Sequence, residues 1–136
     1  MIYAVLDTNV LVSALWSKSS ESTISTLINA VIDKKITPLY HKDIIEEYRE
    51  VLSRDKFHFL PEAREALINR IINTGINSER IPYDAAMPDE DDRVFYEVTL
   101  SKDDAYLVTG NGKHFPRTPI VVTPAEMLEI LMKRKE

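Results

Sequence analysis

The chain has 136 residues, a length suited to one domain with a true hydrophobic core. Apolar residues make up 44%, which argues against disorder, and no apolar run approaches the roughly 20 residues of a membrane span. The formal net charge is −5, from 17 basic and 22 acidic residues. This counts against nucleic-acid binding through overall positive charge, but leaves room for an acidic pocket neutralised locally by divalent cations.

There is no Cys, so disulfides and thiolate metal sites are excluded, and a cytoplasmic location is the expectation. The first residues lack the basic n-region and small-residue cleavage site of a secretory signal.

In chain order, Ile2–Leu6 is an apolar run bounded by polar residues, the pattern of a strand buried on both faces. It stops at Asp7. A strand that ends in Asp at the carboxyl edge of an open α/β sheet is a common beginning of a site. Asn9–Trp16 has apolar residues at helical spacing, and Asp7, Thr8 and Asn9 suit its cap. Ser17–Ser22 reads as a loop and Ser22–Asp33 as a second helix. Ile36–Tyr40 is a short strand, weakened by Pro38.

Lys42–Arg54 is a helix with Ile44, Ile45, Tyr48, Val51 and Leu52 as its apolar stripe. Glu46 and Glu50 fall away from that stripe; Glu47 lies at its edge, better placed to face a cleft. Phe57 and Phe59 flank His58 in a loop or turn. Pro61–Asn73 is a helix opened by Pro61 and ended by Gly75. Ile76–Ile81 is a third short strand, and Pro82–Asp92 an acidic loop. A helix over Asp91–Ser101 has acids at its N-terminus, where the dipole favours them.

Ala105–Thr109 is a second buried strand that ends in the turn Gly110-Asn111-Gly112. Pro119–Val122 is a last strand, and Pro124 opens a helix carrying Met127, Leu128, Ile130 and Leu131. Strands and helices alternate throughout, which predicts one α/β domain over residues 1–131 with a mostly parallel sheet, and a frayed tail over 132–136.

Asp7, Glu47 and Asp92 stand at places that a parallel sheet can bring to one rim, and Asn111 adds a neutral oxygen. Clustered carboxylates repel one another unless a cation compensates them. Hard oxygen donors without Cys or a His set favour Mg2+ or Mn2+, ions that activate water for phosphodiester hydrolysis. Each residue also has a plain structural reading. Asp7 is equally a helix cap, Glu47 a solvated helix charge, Asp89–Asp92 an acidic first turn, and Asn111 a turn residue. Thr8, Ser13 and Thr109 are at home either as site oxygens or as capping and strand residues. His114 has no His or Cys partner at ligand spacing and reads as a loop residue. No Ser-His-Asp set or phosphate-binding glycine loop is present.

Four segments, taken in order and spacing, resemble a PIN domain. They are Asp7-Thr8-Asn9, the helix Glu46–Leu52 with Glu47, Asp89-Glu90-Asp91-Asp92 ahead of Phe95, and Tyr106–Asn111; the stretch Ile120–Pro124 fits as well. The likeness is closest to the VapC-like toxins of toxin–antitoxin systems and covers about Met1 to Leu131. It implies a three-layer α/β/α sandwich and a magnesium- or manganese-dependent endoribonuclease. Asp7, Glu47 and Asp92 map onto the family's metal-binding acids, with Thr8, Asn9 and Thr109 in support. The fourth acidic position falls on Asn111, which removes one charge and puts a second metal in doubt. Asp91 is the alternative to Asp92 by one residue of register. An antitoxin partner and a homodimer are further implications. Arg49, Arg54, Lys56 and Lys113 are candidates to position RNA.

Three other readings compete with this one. A haloacid dehalogenase-type phosphatase wants an acid where Asn9 stands, and a response-regulator receiver wants paired acids near Met1–Leu6, which has none. A catalytically degenerate PIN scaffold that only binds RNA or a protein partner is the stronger alternative.

Overall fold

The computed structural model describes residues 1–17 and 19–134. Five strands form one sheet: β1 (Tyr3–Leu6), β2 (Thr37–Tyr40), β3 (Ile76–Asn77), β4 (Tyr106–Val108) and β5 (Val121–Val122). Their spatial order is β3-β2-β1-β4-β5, and every pairing is parallel. Six helices connect and follow them: α1 (Thr8–Trp16), α2 (Thr23–Ile32), α3 (Lys42–Leu52), α4 (Pro61–Thr74), α5 (Arg93–Thr99) and α6 (Pro124–Lys133).

The chain walks outward from β1 to β3, then crosses back to β4. With right-handed crossovers, that reversal puts the connecting helices on opposite faces of the sheet. α2 packs on α4 and α6, whereas α5 lies against β1, β2 and β4. The result is a three-layer α/β/α sandwich of the PIN type. β1 is central and its Ala4, Val5 and Leu6 are buried, the reason its sequence is unbroken apolar. No helix among the described residues is long and apolar enough to cross a membrane.

Pro38 sits in β2 although that strand has neighbours on both sides. Thr37 N–H donates to Ile2 O at 2.8 Å, so the next N–H position faces β3. β3 begins only at Ile76, opposite Leu39, and the donor that proline lacks has no ladder partner to lose. Gly75 passes close to this point. A Cβ there would lie 2.5 Å from Pro38 O and 2.6 Å from Ile71 O.

Several predicted boundaries contract. β3 is two residues instead of the six of Ile76–Ile81, and β5 is two instead of four. α5 starts at Arg93, not Asp91, because Glu90–Asp92 makes a 3-10 turn first. α3 ends at Leu52, before the expected Arg54. At the C-terminus the helix runs to Lys133, and Arg134 places its guanidinium on Tyr106, donating to the hydroxyl at 3.1 Å. Residues 132–134 of the expected tail thus close or follow this helix, and residues 135–136 lie outside the described residues.

Candidate functional site

In this strand order β1 and β4 lie side by side, but their following connections depart in opposite directions. A crevice opens at their carboxyl ends, the place where open α/β sheets bind ligands. Asp7 follows β1 and is 5% exposed. It is also the N-cap of α1, so the cap reading and the site reading describe the same residue.

Asp7 is held on both oxygens. Oδ1 accepts the Thr8 N–H at 2.8 Å; Oδ2 accepts the Thr109 hydroxyl at 2.8 Å and the Asn9 amide at 3.1 Å. Asn9 Oδ1 in turn accepts the Gly110 N–H at 3.1 Å, and Thr109 Oγ1 accepts the Asn111 N–H at 2.9 Å. Asn9 and Thr109 thus clip the tips of β1 and β4 together around one carboxylate. Burial still raises the Asp7 pKa, against the opposing effect of these donors. The Thr8 hydroxyl is buried and has no hydrogen-bond partner.

Glu47 is half-buried on α3, whereas Glu46 and Glu50 are exposed, the ranking expected from the helix stripe. Its pKa is raised first by burial, then by the charges of Glu50, Asp91 and Asp7. The next residue, Tyr48, is fully buried and donates its hydroxyl to the carbonyl of Leu6, which fastens α3 to the tip of β1.

Asp92 caps α5 and is partly buried, while Asp91 is exposed. Burial pushes the Asp92 pKa up to about 6, helped by the charges of Asp7 and Asp89. The Asp7 charge raises both Glu47 and Asp92, whereas the member of the acidic turn whose charge acts on Glu47 is Asp91. Asn111 is exposed and lines a cavity beside the turn after β4 that none of the three acids lines; its backbone, not its side chain, bonds to Thr109.

Two residues of this site were not foreseen. Asp92 Oδ2 is 3.2 Å from His114 Nδ1. Donor atoms of Asp89, Asp92 and His114 all lie within 4.8 Å of one another, a spacing that the expected trio does not share. His114 is exposed on a short turn, as a loop residue would be, and that turn places its ring beside Asp92. Each was one turn from a residue already singled out: Asp89 three before Asp92, and His114 three after Asn111. Two short 3-10 turns, Glu90–Asp92 and Gly112–His114, bring them together.

The acidic loop is itself braced. Arg93 donates to the carbonyls of Tyr83 and Ala85 and pairs with Glu90 at 2.7 Å. Arg80 bridges Asp43 at 2.9 Å and buried Glu97 at 2.8 Å, and Glu97 also accepts the Tyr83 N–H at 3.0 Å. Among the basic candidates, Arg49 is occupied by Glu65 and Arg54 by Glu50. Lys56 sits over the Phe57 ring, in a cluster with Phe59 and Trp16. The two arginine pairings are half-exposed surface pairs, which hold their partners only weakly.

The donor chemistry fits a hard divalent ion. Buried and half-buried carboxyls repel one another, and among the described residues the side-chain cation that pairs with one of these acids is His114, when protonated. Magnesium keeps several waters and takes one or two carboxylates directly, so a spread set of acids suits it.

Comparison with known proteins agrees with this layout. No curated protein matches the chain, and no solved structure does. Residues 3–113 match the PIN domain family. With that match running from β1 through the acids to the turn after β4, the chain belongs to the PIN domain family.

Proposed function

We propose that this chain is a magnesium- or manganese-dependent endoribonuclease, the toxin of a toxin–antitoxin pair. PIN domains are generally nucleases. The observation that supports the reading is buried Asp7, held on both oxygens at the tip of β1, whose charge acts on both Glu47 and Asp92. A scissile phosphate placed against such a set is repelled unless a cation neutralises it, whereas phosphates further along the strand lie clear of it.

Asp7, Glu47 and Asp92 would hold the ion, with Asn111 offering a neutral oxygen. When bound, the ion supplies Lewis-acid polarisation of the phosphoryl oxygen and a water of lowered pKa. The protein's own part is orientation. Asn9 and Thr109 fix the Asp7 carboxylate by two hydrogen bonds on one oxygen, and Thr8 fixes the other by its N–H. A carboxylate has about four lone-pair sites, so one remains for the ligand. His114 fixes Asp92 in the same way from the opposite wall. The toxin role, with an antitoxin protein and a homodimer, is supported by the likeness of the motif order to VapC-like toxins.

The deciding experiment is cleavage of single-stranded RNA in magnesium by the wild type and by Asp7→Ala. Cleavage confined to the wild type and abolished by chelator supports the reading; equal cleavage by both sinks it. A metal titration followed by thermal melting separates an enzyme from a scaffold with a dead site, since a true site adds stability by mass action. Growth arrest on expression, relieved by the small protein of an adjoining reading frame, tests the toxin role.

A further inference from the structure

The stretch after β4 differs from the rest of the chain in charge. Residues 110–118 contain no acid but carry Lys113, His114 and Arg117, in a chain of net charge −5. This stretch, with Val121, lines a cavity of about 850 Å³. It adjoins the acids directly, because His114 touches Asp92. The cavity runs past the residues matched to the family, which end at 113.

The cations here are available and held in place. Arg49, Arg54, Arg80 and Arg93 each pair with a carboxylate. Among the described residues Lys113 and Arg117 make no ion pair, and both are exposed. Between them Phe115 is buried, at 3% exposure, and pins the loop. Its N–H donates to Gly112 O at 3.1 Å, and His114 N–H to Asn111 O at 3.0 Å. The loop therefore presents two positive charges on a fixed turn, one on each side of an apolar anchor.

We propose that Lys113 and Arg117 form a phosphate track for single-stranded RNA, leading along this cavity to the acids. A strand whose scissile phosphate faces the acids extends its neighbouring phosphates over the one wall that is basic and free of carboxylates. Phosphate contacts of this kind set position and register without reading sequence. The track rests on the ribonuclease reading of the acids, but its test does not require catalysis.

The test is binding of a fluorescein-labelled oligouridylate of about a dozen nucleotides in excess chelator, so that no turnover occurs. Wild type is compared with Lys113→Ala/Arg117→Ala, with the charge-keeping Lys113→Arg/Arg117→Lys, and with Arg64→Ala/Arg70→Ala on α4. The last removes the same charge elsewhere. Each phosphate contact to a single strand contributes about −0.7 to the slope of log affinity against log salt, so losing two contacts flattens it by about 1.4. The alanine pair at 113 and 117 is expected to show that flattening and roughly tenfold weaker binding at low salt. The charge-keeping pair and the α4 pair keep the wild-type slope and affinity.

Equal losses in the 113/117 and α4 variants would show that only net charge matters and overturn the track. So would an unchanged slope in the 113/117 variant, or no RNA binding by the wild type. Binding with the expected slope but no cleavage in magnesium would leave the track standing and remove the nuclease reading. Cleavage with no effect of the 113/117 variant on binding would do the reverse.

Discussion

Tyr48 donates its hydroxyl to the carbonyl of Leu6, the residue before Asp7. Through that bond the helix carrying Glu47 is fastened to the strand carrying Asp7. The tyrosine is fully buried, and burial and the nearby Asp7 charge drive its pKa far upward, so it stays a neutral donor. Tyr48→Phe keeps the ring and leaves the Leu6 carbonyl without its partner. The expected cost is about 1–3 kcal/mol, the penalty for a buried group left unsatisfied. Urea unfolding measures it; an unchanged midpoint would mean that water or another donor replaces the hydroxyl.

Thr109→Val removes a donor to Asp7 Oδ2 with little change of shape. The carboxylate loses one of the bonds that aim it, and the Asn111 N–H loses its acceptor. Partners that orient ligand groups are worth about 10- to 100-fold in metal affinity or activity. The predicted loss is in that range for manganese binding by calorimetry, with a smaller effect on melting temperature. Unaltered manganese affinity would count against the orienting role of Thr109.

Asp92 has a pKa of about 6 in the folded chain against an ordinary value of 3.8. Between those values the folded state holds the proton and the unfolded state has lost it. The group's stabilising contribution is therefore full below about pH 4 and is lost as pH rises through about 6. In chelator, the wild type is expected to melt higher near pH 5 than near pH 7, and Asp92→Asn to lose that difference. Metal needs the ionised carboxylate, so stabilisation by manganese should grow over the same interval as pH rises. Superimposable pH profiles for wild type and Asp92→Asn would refute the assignment.

Gly75→Ala tests the packing behind β3. Its Cβ would meet two backbone oxygens, Pro38 O and Ile71 O, and neither is the flexible end of a side chain. Overpacking of this kind costs about 1–3 kcal/mol. The substitution should lower the unfolding midpoint although alanine favours most backbones. A gain in stability would show that β3 shifts freely.

Much of this architecture was readable because it is periodic. The unbroken run of Ile2–Leu6 marks a central parallel strand. The stripe Ile44, Ile45, Tyr48 and Leu52 marks a helix face, and Glu47 is half-buried because it borders that stripe. What escaped has no period. The meeting of Asp92 with His114 depends on two 3-10 turns folding toward each other across the rim. The occupation of Arg49 by Glu65 and of Arg54 by Glu50 depends on which exposed partners lie in reach. β3 and β5 were overestimated because edge strands pair on one side only and stop where their neighbour does.

The clip between Asn9 and Thr109 joins residues 100 positions apart. A nascent chain emerging from the ribosome exposes Asn9 early, yet lacks Thr109 until 100 further residues have been added. Until then the Asp7 carboxylate has only its near neighbours to aim it. Order at the acidic rim is thus a late product of synthesis, written into the chain by the distance between the two halves of one clip.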